Sequence, residues 1–439
     1  MNGFTRIELG GRRRGISGTR LGALLLLGAT AGCEVTNPGP IQDQFLNDPT
    51  SHAALAAGAG RGLLLGLNEI IYTGAVVARE AFPGGQTGNF GFDPLTQGGA
   101  IIWDGGDAGA PWERLQQARF VAEDAIARFT GDAKDVAPAN LAQAYIWAGY
   151  INRVLGENMC EAVFNGGAIE PYAKYLERAE AQLTSAVAIA TGDARTGAYA
   201  GRAQVRLLRG DWAGASTDAA LVPDAYRFML GVDGLNFDTY NWIYWSIANR
   251  PYRSISLFRT WFKDYYTESG DPRVPWAADP KNPNASAALS GFGQVPWSFP
   301  TKYKTETDDW RIASGLEMRL VEAEVLLQAG NWQAAMVKIN AVRTRNVSDI
   351  TKAPLTPWVA NSLTEAWTYL KRERGIELWL EGRRFGDLRR WEARQTPGAL
   401  DWPNFEAVSP IFSASPRAKC FPIPRSEREA NPNIPNSPT

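Results

Sequence analysis

Residue types that usually perform catalysis are sparse in this chain of 439 residues. His52 is the only histidine, so a Ser/His or Cys/His pair would depend on it. It lies in the stretch DPTSHAALAAGAG, which predicts the start of a helix and not an active site. Asp104 and Asp107 in WDGGD offer two carboxylates, but without the spacing of an EF-hand loop, so we expect a solvent-facing turn. No phosphate-binding loop, nucleophile elbow or Cys/His metal motif occurs, and the sequence predicts no cofactor or metal.

Cys33 is a candidate for covalent modification near the amino terminus. A leader with five arginines and an apolar run of about a dozen residues precedes it, which is typical of a secretion signal and too short to span a bilayer. The motif AGC that ends at Cys33 resembles a bacterial lipobox, although Thr30 stands where leucine is usual. We therefore predict a signal peptide at 1–32, a lipid anchor on Cys33 and a tether at 33–50; a plain secretory signal with a chance cysteine is the alternative.

The charge of the remaining chain is nearly balanced. Without residues 1–32 it carries 40 basic and 45 acidic side chains. A nucleic-acid partner would require a clustered basic face, so the sequence predicts none. No segment after the leader has the unbroken apolar length of a membrane span.

Helical periodicity dominates the rest of the sequence. Apolar residues recur every three or four positions over 141–155 and 172–190, and Gly192 follows where a carboxyl-terminal helix cap is expected. A Ser-x-x-Glu capping box begins at Ser362 and opens a further helix, which Gly382 is expected to end before a second short helix. These patterns predict an all-α protein.

One internal repeat indicates how the helices are paired. The segment RAQVRLLRGDWAGA (202–215) aligns without gaps on EAEVLLQAGNWQAA (322–335). A helix, a Gly-Asp/Asn-Trp turn and an alanine-rich helix form a tetratricopeptide-like hairpin. Because the copies lie 120 residues apart, we expect long insertions between the helix pairs.

The carboxyl-terminal motifs resemble those of a known family. KRERGIELWLEGRRFGDLRRW (371–391) and CFPIPRSEREANPN (420–433) are similar to the last helix and the ending of SusD/RagB-family outer-membrane nutrient-binding lipoproteins. Further landmarks occur in the same order at 270–276, 301–311 and 317–330.

This resemblance implies an all-α, SusD-like scaffold of tetratricopeptide-type helices with long irregular ligand-binding loops. It divides the chain into an amino-terminal helical region (51–230) and a carboxyl-terminal region (231–439) with an aromatic insertion and closing helices. It also brings the carboxyl-terminal segment back onto the early helices, which would allow a Cys160–Cys420 disulfide; two buried free thiols are the alternative.

The same resemblance implies a function. The protein would be a lipid-anchored, surface-facing outer-membrane lipoprotein that binds an oligosaccharide or glycopeptide without altering it. It would deliver this nutrient to a SusC-like TonB-dependent transporter.

Aromatic residues are concentrated where such a ligand could bind. Residues 237–310 contain 17 aromatic side chains, against about eight expected from the chain average. Ring faces suit the apolar faces of sugars, whereas many rings simply fill cores. We expect most of these rings to pack internally, and the candidates for a ligand platform are Tyr240, Trp242, Trp245, Trp276 and Trp297. The Gly-rich stretches 82–94 and 291–297 are candidate contact loops.

The charges of 371–391 have a structural interpretation. Arg383 with Asp387 and Glu381 with Arg384 have the spacing of ion pairs along a helix.

Two other functions remain open at this stage. One is a tetratricopeptide-like envelope adaptor that binds peptides or proteins. The other is a secreted glycan-degrading enzyme, because a pair of catalytic carboxylates carries no sequence signature.

Overall fold

Helices make up most of the protein in a computed structural model that describes residues 43–84, 94–249, 252–289, 292–401 and 417–438. Cys33 and the predicted signal peptide lie outside the described residues. The helices are α1 (Pro49–Val77), α2 (Pro94–Gly98), α3 (Gly106–Thr130), α4 (Pro138–Asn158), α5 (Ala173–Ile189), α6 (Gly192–Arg209), α7 (Trp212–Ala220), α8 (Trp261–Ser269), α9 (Gly315–Gln328), α10 (Trp332–Arg343), α11 (Leu363–Glu377), α12 (Arg384–Ala393) and α13 (Arg425–Ala430). A 3₁₀ turn at Phe237–Thr239 and a π-helical turn at Tyr244–Ala248 interrupt the aromatic segment.

The strands are short and pair two by two. They are β1 (Phe82–Pro83), β2 (Glu161–Ala162), β3 (Glu170–Pro171), β4 (Arg227–Leu230), β5 (Ile255–Ser256), β6 (Trp276–Ala278), β7 (Ser298–Pro300) and β8 (Trp310–Ser314). The antiparallel pairs are β1–β5, β2–β3, β4–β8 and β6–β7. In the longest pair, Arg227 lies opposite Ser314 and Leu230 opposite Trp310. Among the described residues, the helical prediction therefore holds, with strands limited to these ribbons.

The internal repeat corresponds to two helix hairpins, α6–α7 and α9–α10, as predicted. Gly210 and Gly330 end the first helix of each hairpin with positive φ angles of 84° and 78°, which glycine adopts without steric cost. The next residue caps the second helix. Asp211 accepts a hydrogen bond from the backbone N–H of residue 214, and Asn331 accepts one from that of residue 334.

Other predicted helix boundaries are partly correct. Helices α4 and α5 contain the predicted apolar stripes, and α12 follows Gly382, whose φ is 69°. The prediction for Gly192 is wrong, because α5 ends at Ile189 and Gly192 is the first residue of α6. The side chain of Ser362 caps α11 by accepting the backbone N–H of Glu365. The carboxylate of Glu365 accepts the N–H of residue 361 instead of that of Ser362, so only half of the predicted capping box forms.

Helix α1 forms the centre of the core. By length and composition alone, α1 could cross a membrane. The sequence analysis, which looked for an unbroken apolar segment, did not identify it. However, residues such as Leu63, Ile70 and Val76 are fully buried, and α1 packs against α3, α4 and α12. We interpret it as a core helix.

Residues 43–439 form one compact unit. Its main apolar cluster contains residues from both predicted regions, 51–230 and 231–439, and β4 of the first pairs with β8 of the second. The two regions therefore share one core.

A disulfide joins Cys160 to Cys420, 260 positions apart. The backbone N–H of Cys160 donates to the carbonyl of Phe421 (2.9 Å), and the N–H of Phe421 donates to that of Asn158 (2.8 Å). The carboxyl-terminal segment thus lies along the end of α4.

Candidate functional site

Three half-buried rings of the aromatic segment line up in the structure. The centroids of Tyr240 and Trp245 are 4.6 Å apart, and those of Trp245 and Tyr252 are 5.4 Å apart. All three residues are partly exposed, and we call this cluster of adjacent rings the aromatic arc. Offset ring packing at these distances is favourable and keeps the ring planes in place.

Asn68 and Asn241 position the arc, and both are fully buried. Asn68 in α1 donates to the carbonyl of Tyr240 (2.9 Å) and accepts from Trp310 Nε1 (3.0 Å). The amide of Asn241 donates to the carbonyl of Asp308 (2.9 Å), while its oxygen accepts the N–H that opens the π-helical turn (3.1 Å). The segment is therefore attached to α1 on one side and to the loop before β8 on the other.

Two polar atoms of the arc lack a partner within the part of the chain that the structure describes. Trp245 Nε1 is buried and has no hydrogen-bond acceptor there. The hydroxyl of Tyr240 likewise makes no hydrogen bond to a described residue. Because most buried N–H groups are satisfied, the indole N–H of Trp245 is an unusual unsatisfied donor.

Two of the predicted platform residues lie elsewhere. Trp242 and Trp297 are only 7% and 2% exposed, and their indole nitrogens donate to the backbone carbonyls of Phe237 and Ile247. Both rings therefore pack in the interior, and neither offers a face to a ligand in this structure. The order of residues in a segment without regular secondary structure does not indicate which aromatic rings point into the core and which point outward.

Trp276 also lies apart from the arc. It is half-buried at the start of β6, where its Nε1 donates to the carbonyl of Lys263 (3.2 Å). The ammonium group of Lys263 lies 4.7 Å from its ring centroid. Conversely, sequence reasoning missed Tyr252, although it belongs to the same aromatic run.

The two predicted contact loops meet beside this region. Phe82 of β1 packs against Phe292, with ring centroids 5.8 Å apart, and against Phe258 at 5.4 Å. Residues 85–93 and 290–291 lie outside the described part of the chain. The structure therefore brings together the ends of the two loops.

Charged side chains near the base of the arc are paired. Arg114 lies 3.3 Å from Glu69 and 3.1 Å from Asp238. Burial raises the pKa of Glu69 to about 7, because it outweighs the opposing effect of Arg114, and Asp107 and Asp238 add to the increase. The arc itself carries only Trp and Tyr side chains, so its chemistry is stacking and hydrogen bonding.

The charges of 371–391 are structural, but their predicted partners are wrong. Arg383 contacts Glu157 (3.0 Å) and Glu317 (2.6 Å) instead of Asp387. Asp387 pairs with Arg374 (3.0 Å) and Arg390 (2.8 Å), and these arginines hold its pKa far below its usual range.

The second predicted pair is also replaced. Glu381 binds Lys302 (2.6 Å) and Arg311 (2.8 Å), whereas Arg384 donates to the backbone carbonyls of Ala78 and Leu400. Except for the pair between Asp387 and Arg390, the partners of these side chains therefore come from other elements.

His52 has a structural role. It is 1% exposed in the first turn of α1, its ring packs edge-on against Phe129, and its Nε2 lies 3.2 Å from the carbonyl of Asn47. In the turn before α3, Asp104 pairs with Arg425, and in the first turn of α3, Asp107 accepts a hydrogen bond from Thr96 (2.6 Å).

The sequence profile of the SusD family matches residues 235–439, the region that contains the aromatic arc, β8 and the helices α9–α13. Residues 235–439 of this chain therefore belong to the SusD/RagB family. No functionally curated protein matches it.

Solved structures extend the likeness to a SusD-like fold over most of the chain. A SusD superfamily protein from Parabacteroides distasonis superposes with a TM-score of 0.66 at 14% identity, covering 88% of this chain and 98% of that one. A SusD superfamily protein from Bacteroides vulgatus gives 0.65 at 14% identity, with 88% and 97% covered. A SusD-like carbohydrate-binding protein from the same organism gives 0.60 at 16% identity, with 88% and 98% covered.

Proposed function

We propose that this SusD-family protein is an outer-membrane lipoprotein that binds an oligosaccharide or a glycopeptide through its glycan and delivers it to a TonB-dependent transporter. The aromatic arc is the observation that carries the proposal. Its three adjacent, partly exposed rings suit the apolar faces of sugar units.

Three further observations support the proposal. The motif ending at Cys33 resembles a lipobox, the match to the SusD family suggests the transporter partner, and one structural neighbour is a SusD-like carbohydrate-binding protein. The three rings of the arc carry no carboxylate, and the nearby Glu69 and Asp238 both pair with Arg114, so we propose binding and transfer of the ligand without cleavage.

Calorimetric titration of the purified full-length protein with neutral malto-, cello-, xylo- and mannohexaose tests the arc. We expect one or more of these glycans to bind and Trp245→Ala to weaken that binding at least tenfold, because the substitution removes the central ring of the arc. Trp103→Ala is the matched control, since Trp103 is also a half-buried tryptophan but lies before α3. It should bind as the wild type does.

Two results would contradict the proposal. One is unchanged glycan affinity in a folded Trp245→Ala protein. The other is release of shorter sugars during incubation, which would identify an enzyme in place of a binding protein.

A further inference from the structure

A cavity of about 940 Å³ lies beside β4 and the loop 301–309 that joins β7 to β8. Residues of α8 and the end of α11 contribute to its wall. Its volume falls within the range of small-ligand sites, roughly 300–1,000 Å³. None of the three rings of the arc belongs to its described lining, so the cavity is a separate candidate site, which we call the loop cavity.

The described lining of the loop cavity carries no net charge. Its five cations and its five carboxylates balance: Arg227, Arg273, Lys302, Lys304 and Arg311 against Asp308, Asp309, Asp349, Glu377 and Glu381. Neither an anion nor a cation would therefore gain a favourable field from the cavity as a whole. A neutral ligand would also avoid the cost of removing a further charge from water.

The buried charged groups of the lining bind one another. Arg311 lies 2.8 Å from both Glu377 and Glu381, whose side chains are 2% and 3% exposed. Arg273 lies 3.2 Å from Glu377. Two acids outside the described lining also bind Arg273: Asp271 and Glu373. These contacts hold the side chains in place, so this part of the wall is a preorganised polar surface.

Other polar side chains of the lining keep unused hydrogen-bonding capacity within the described part of the chain. The guanidinium of Arg227 uses only Nη1, which donates to two backbone carbonyls (2.9 and 2.8 Å). Asp309 uses Oδ1 to accept the N–H of residue 232 (2.8 Å), and Asp349 uses Oδ2 to accept a tyrosine hydroxyl (3.2 Å). The ammonium group of Lys304 and the hydroxyl of Thr301 make no hydrogen bond to a described residue. Two cationic donors, two carboxylate acceptors and one hydroxyl are therefore available to a ligand.

We propose that the loop cavity binds a neutral saccharide, whose hydroxyls hydrogen-bond to these five groups. A sugar hydroxyl both donates and accepts, so it suits a lining that offers charged donors and charged acceptors in equal number. Met229, Pro272 and Pro275 supply apolar surface for the C–H face of a sugar ring. The inference rests on the proposed function only in taking a saccharide as the cargo, and it does not require the aromatic arc.

Titration calorimetry of the full-length protein with maltose, cellobiose, xylobiose and mannobiose tests this assignment. A disaccharide is too short to cover all three rings of the arc, so its binding should not depend on the arc. We expect at least one of the four to bind, with the same affinity at low and at high salt concentration, because salt has little effect on a neutral ligand.

A double variant, Arg227→Met with Asp349→Asn, removes one charge of each sign and keeps the lining neutral. It should weaken disaccharide binding at least tenfold, because hydrogen bonds to two charged groups are lost or weakened. The matched control is Lys134→Met with Asp132→Asn, since both residues are exposed in the turn after α3 and neither forms an ion pair with a described residue. The control should bind as the wild type does, and both double variants should keep its melting temperature.

A variant that fills the cavity gives a second test without removing a polar group. Met229 is 42% exposed on β4 and lines the cavity, so Met229→Trp should also weaken disaccharide binding at least tenfold by occupying space. Leu221→Trp is the matched control, because Leu221 is 52% exposed at the end of α7 and lies outside the described lining. It should leave binding unchanged.

The outcomes separate the loop cavity from the arc. Trp245→Ala should leave disaccharide binding unchanged, so failure of the arc to bind hexasaccharides would not affect this inference. Absence of disaccharide binding in the wild type, its loss in Trp245→Ala, or unchanged affinity in the folded Arg227/Asp349 variant would overturn it. Tighter binding of digalacturonate or of dialanine than of every neutral disaccharide would assign the cavity to charged ligands and likewise overturn it.

Discussion

Glu80 follows α1 and is 1% exposed. Its carboxylate accepts a hydrogen bond from the backbone N–H of Leu380 (2.9 Å). Burial raises its pKa to about 7, although Arg384 and Lys302 oppose the increase and Glu381 adds to it. The folded protein therefore binds a proton here that the unfolded chain releases near its ordinary pKa, about 4.3.

The raised pKa of Glu80 predicts a loss of stability with increasing pH. The stabilisation from protonated Glu80 is fully present below the unfolded pKa and is lost as pH rises through about 7. Glu80→Gln keeps a hydrogen-bond acceptor without the charge. It should change little at pH 4 and stabilise the protein at pH 8.5 by up to roughly 3 kcal/mol, since one pKa unit corresponds to about 1.4 kcal/mol.

Urea unfolding at both pH values measures this difference. Glu392→Gln provides a control, because Glu392 is exposed and forms an exposed pair with Lys419. Equal stability of wild type and Glu80→Gln at pH 8.5 would show that burial does not govern this carboxyl group.

Side-chain partners were the least predictable feature at this scale. The sequence correctly indicated that Arg383 is structural, but local spacing favoured Asp387. In the fold, Glu157 and Glu317 lie 226 and 66 positions away and bind it instead. Pairing along a helix contributes only about 0.2–0.5 kcal/mol, so a buried partner from another element replaces it readily.

The turn between α9 and α10 allows a test of one structural element. Gly330 has a φ of 78°, and a Cβ added there would meet no atom within 4 Å. Gly330→Ala should therefore destabilise the protein by about 1 kcal/mol through backbone strain alone, as measured by thermal or urea unfolding.

Gly58 in α1 is the matched control, because a Cβ there also meets open space but the backbone is helical. Gly58→Ala should stabilise the protein by roughly 0.5–1 kcal/mol. A Gly330→Ala protein as stable as the wild type would mean that the turn can relax.

Helices were predictable because their periodicity is local, and the repeat at 202–215 and 322–335 located both hairpins. The two-stranded ribbons were not predictable from the sequence. Strand β4 has four residues and β8 has five, and their pairing depends on partners about 80 positions apart. The same limit applies to the arc, because no period in 240–252 indicates which rings face outward.

At the scale of the whole molecule, we predict that Cys33 attaches the protein to the membrane. Cys33→Ala should abolish incorporation of radiolabelled palmitate and move the protein from the membrane to the soluble fraction, because acyl chains supply the binding energy. A Cys160→Ala/Cys420→Ala double variant should remain labelled and membrane-bound. Membrane attachment of unlabelled Cys33→Ala protein would contradict the anchor.

At the scale of the whole molecule, the family resemblance predicted contacts between distant segments that the helical periodicity of the sequence could not predict. The proximity of residues 160 and 420 followed from the resemblance and not from spacing, since 260 residues separate them. By contrast, the predicted regions 51–230 and 231–439 do not have separate cores, because β4 of the first region pairs with β8 of the second.

The arginines of α12 also constrain when the protein can fold. Glu317 and Glu324 receive their buried counter-charges from Arg383 and Arg390, which a ribosome adds 66 residues later. Before that point, closing the core around these carboxylates would leave them uncompensated, at a cost of several kcal/mol each. The nascent chain should therefore stay open until translation is almost complete, which would suit a polypeptide that has to be threaded through an export channel before it folds.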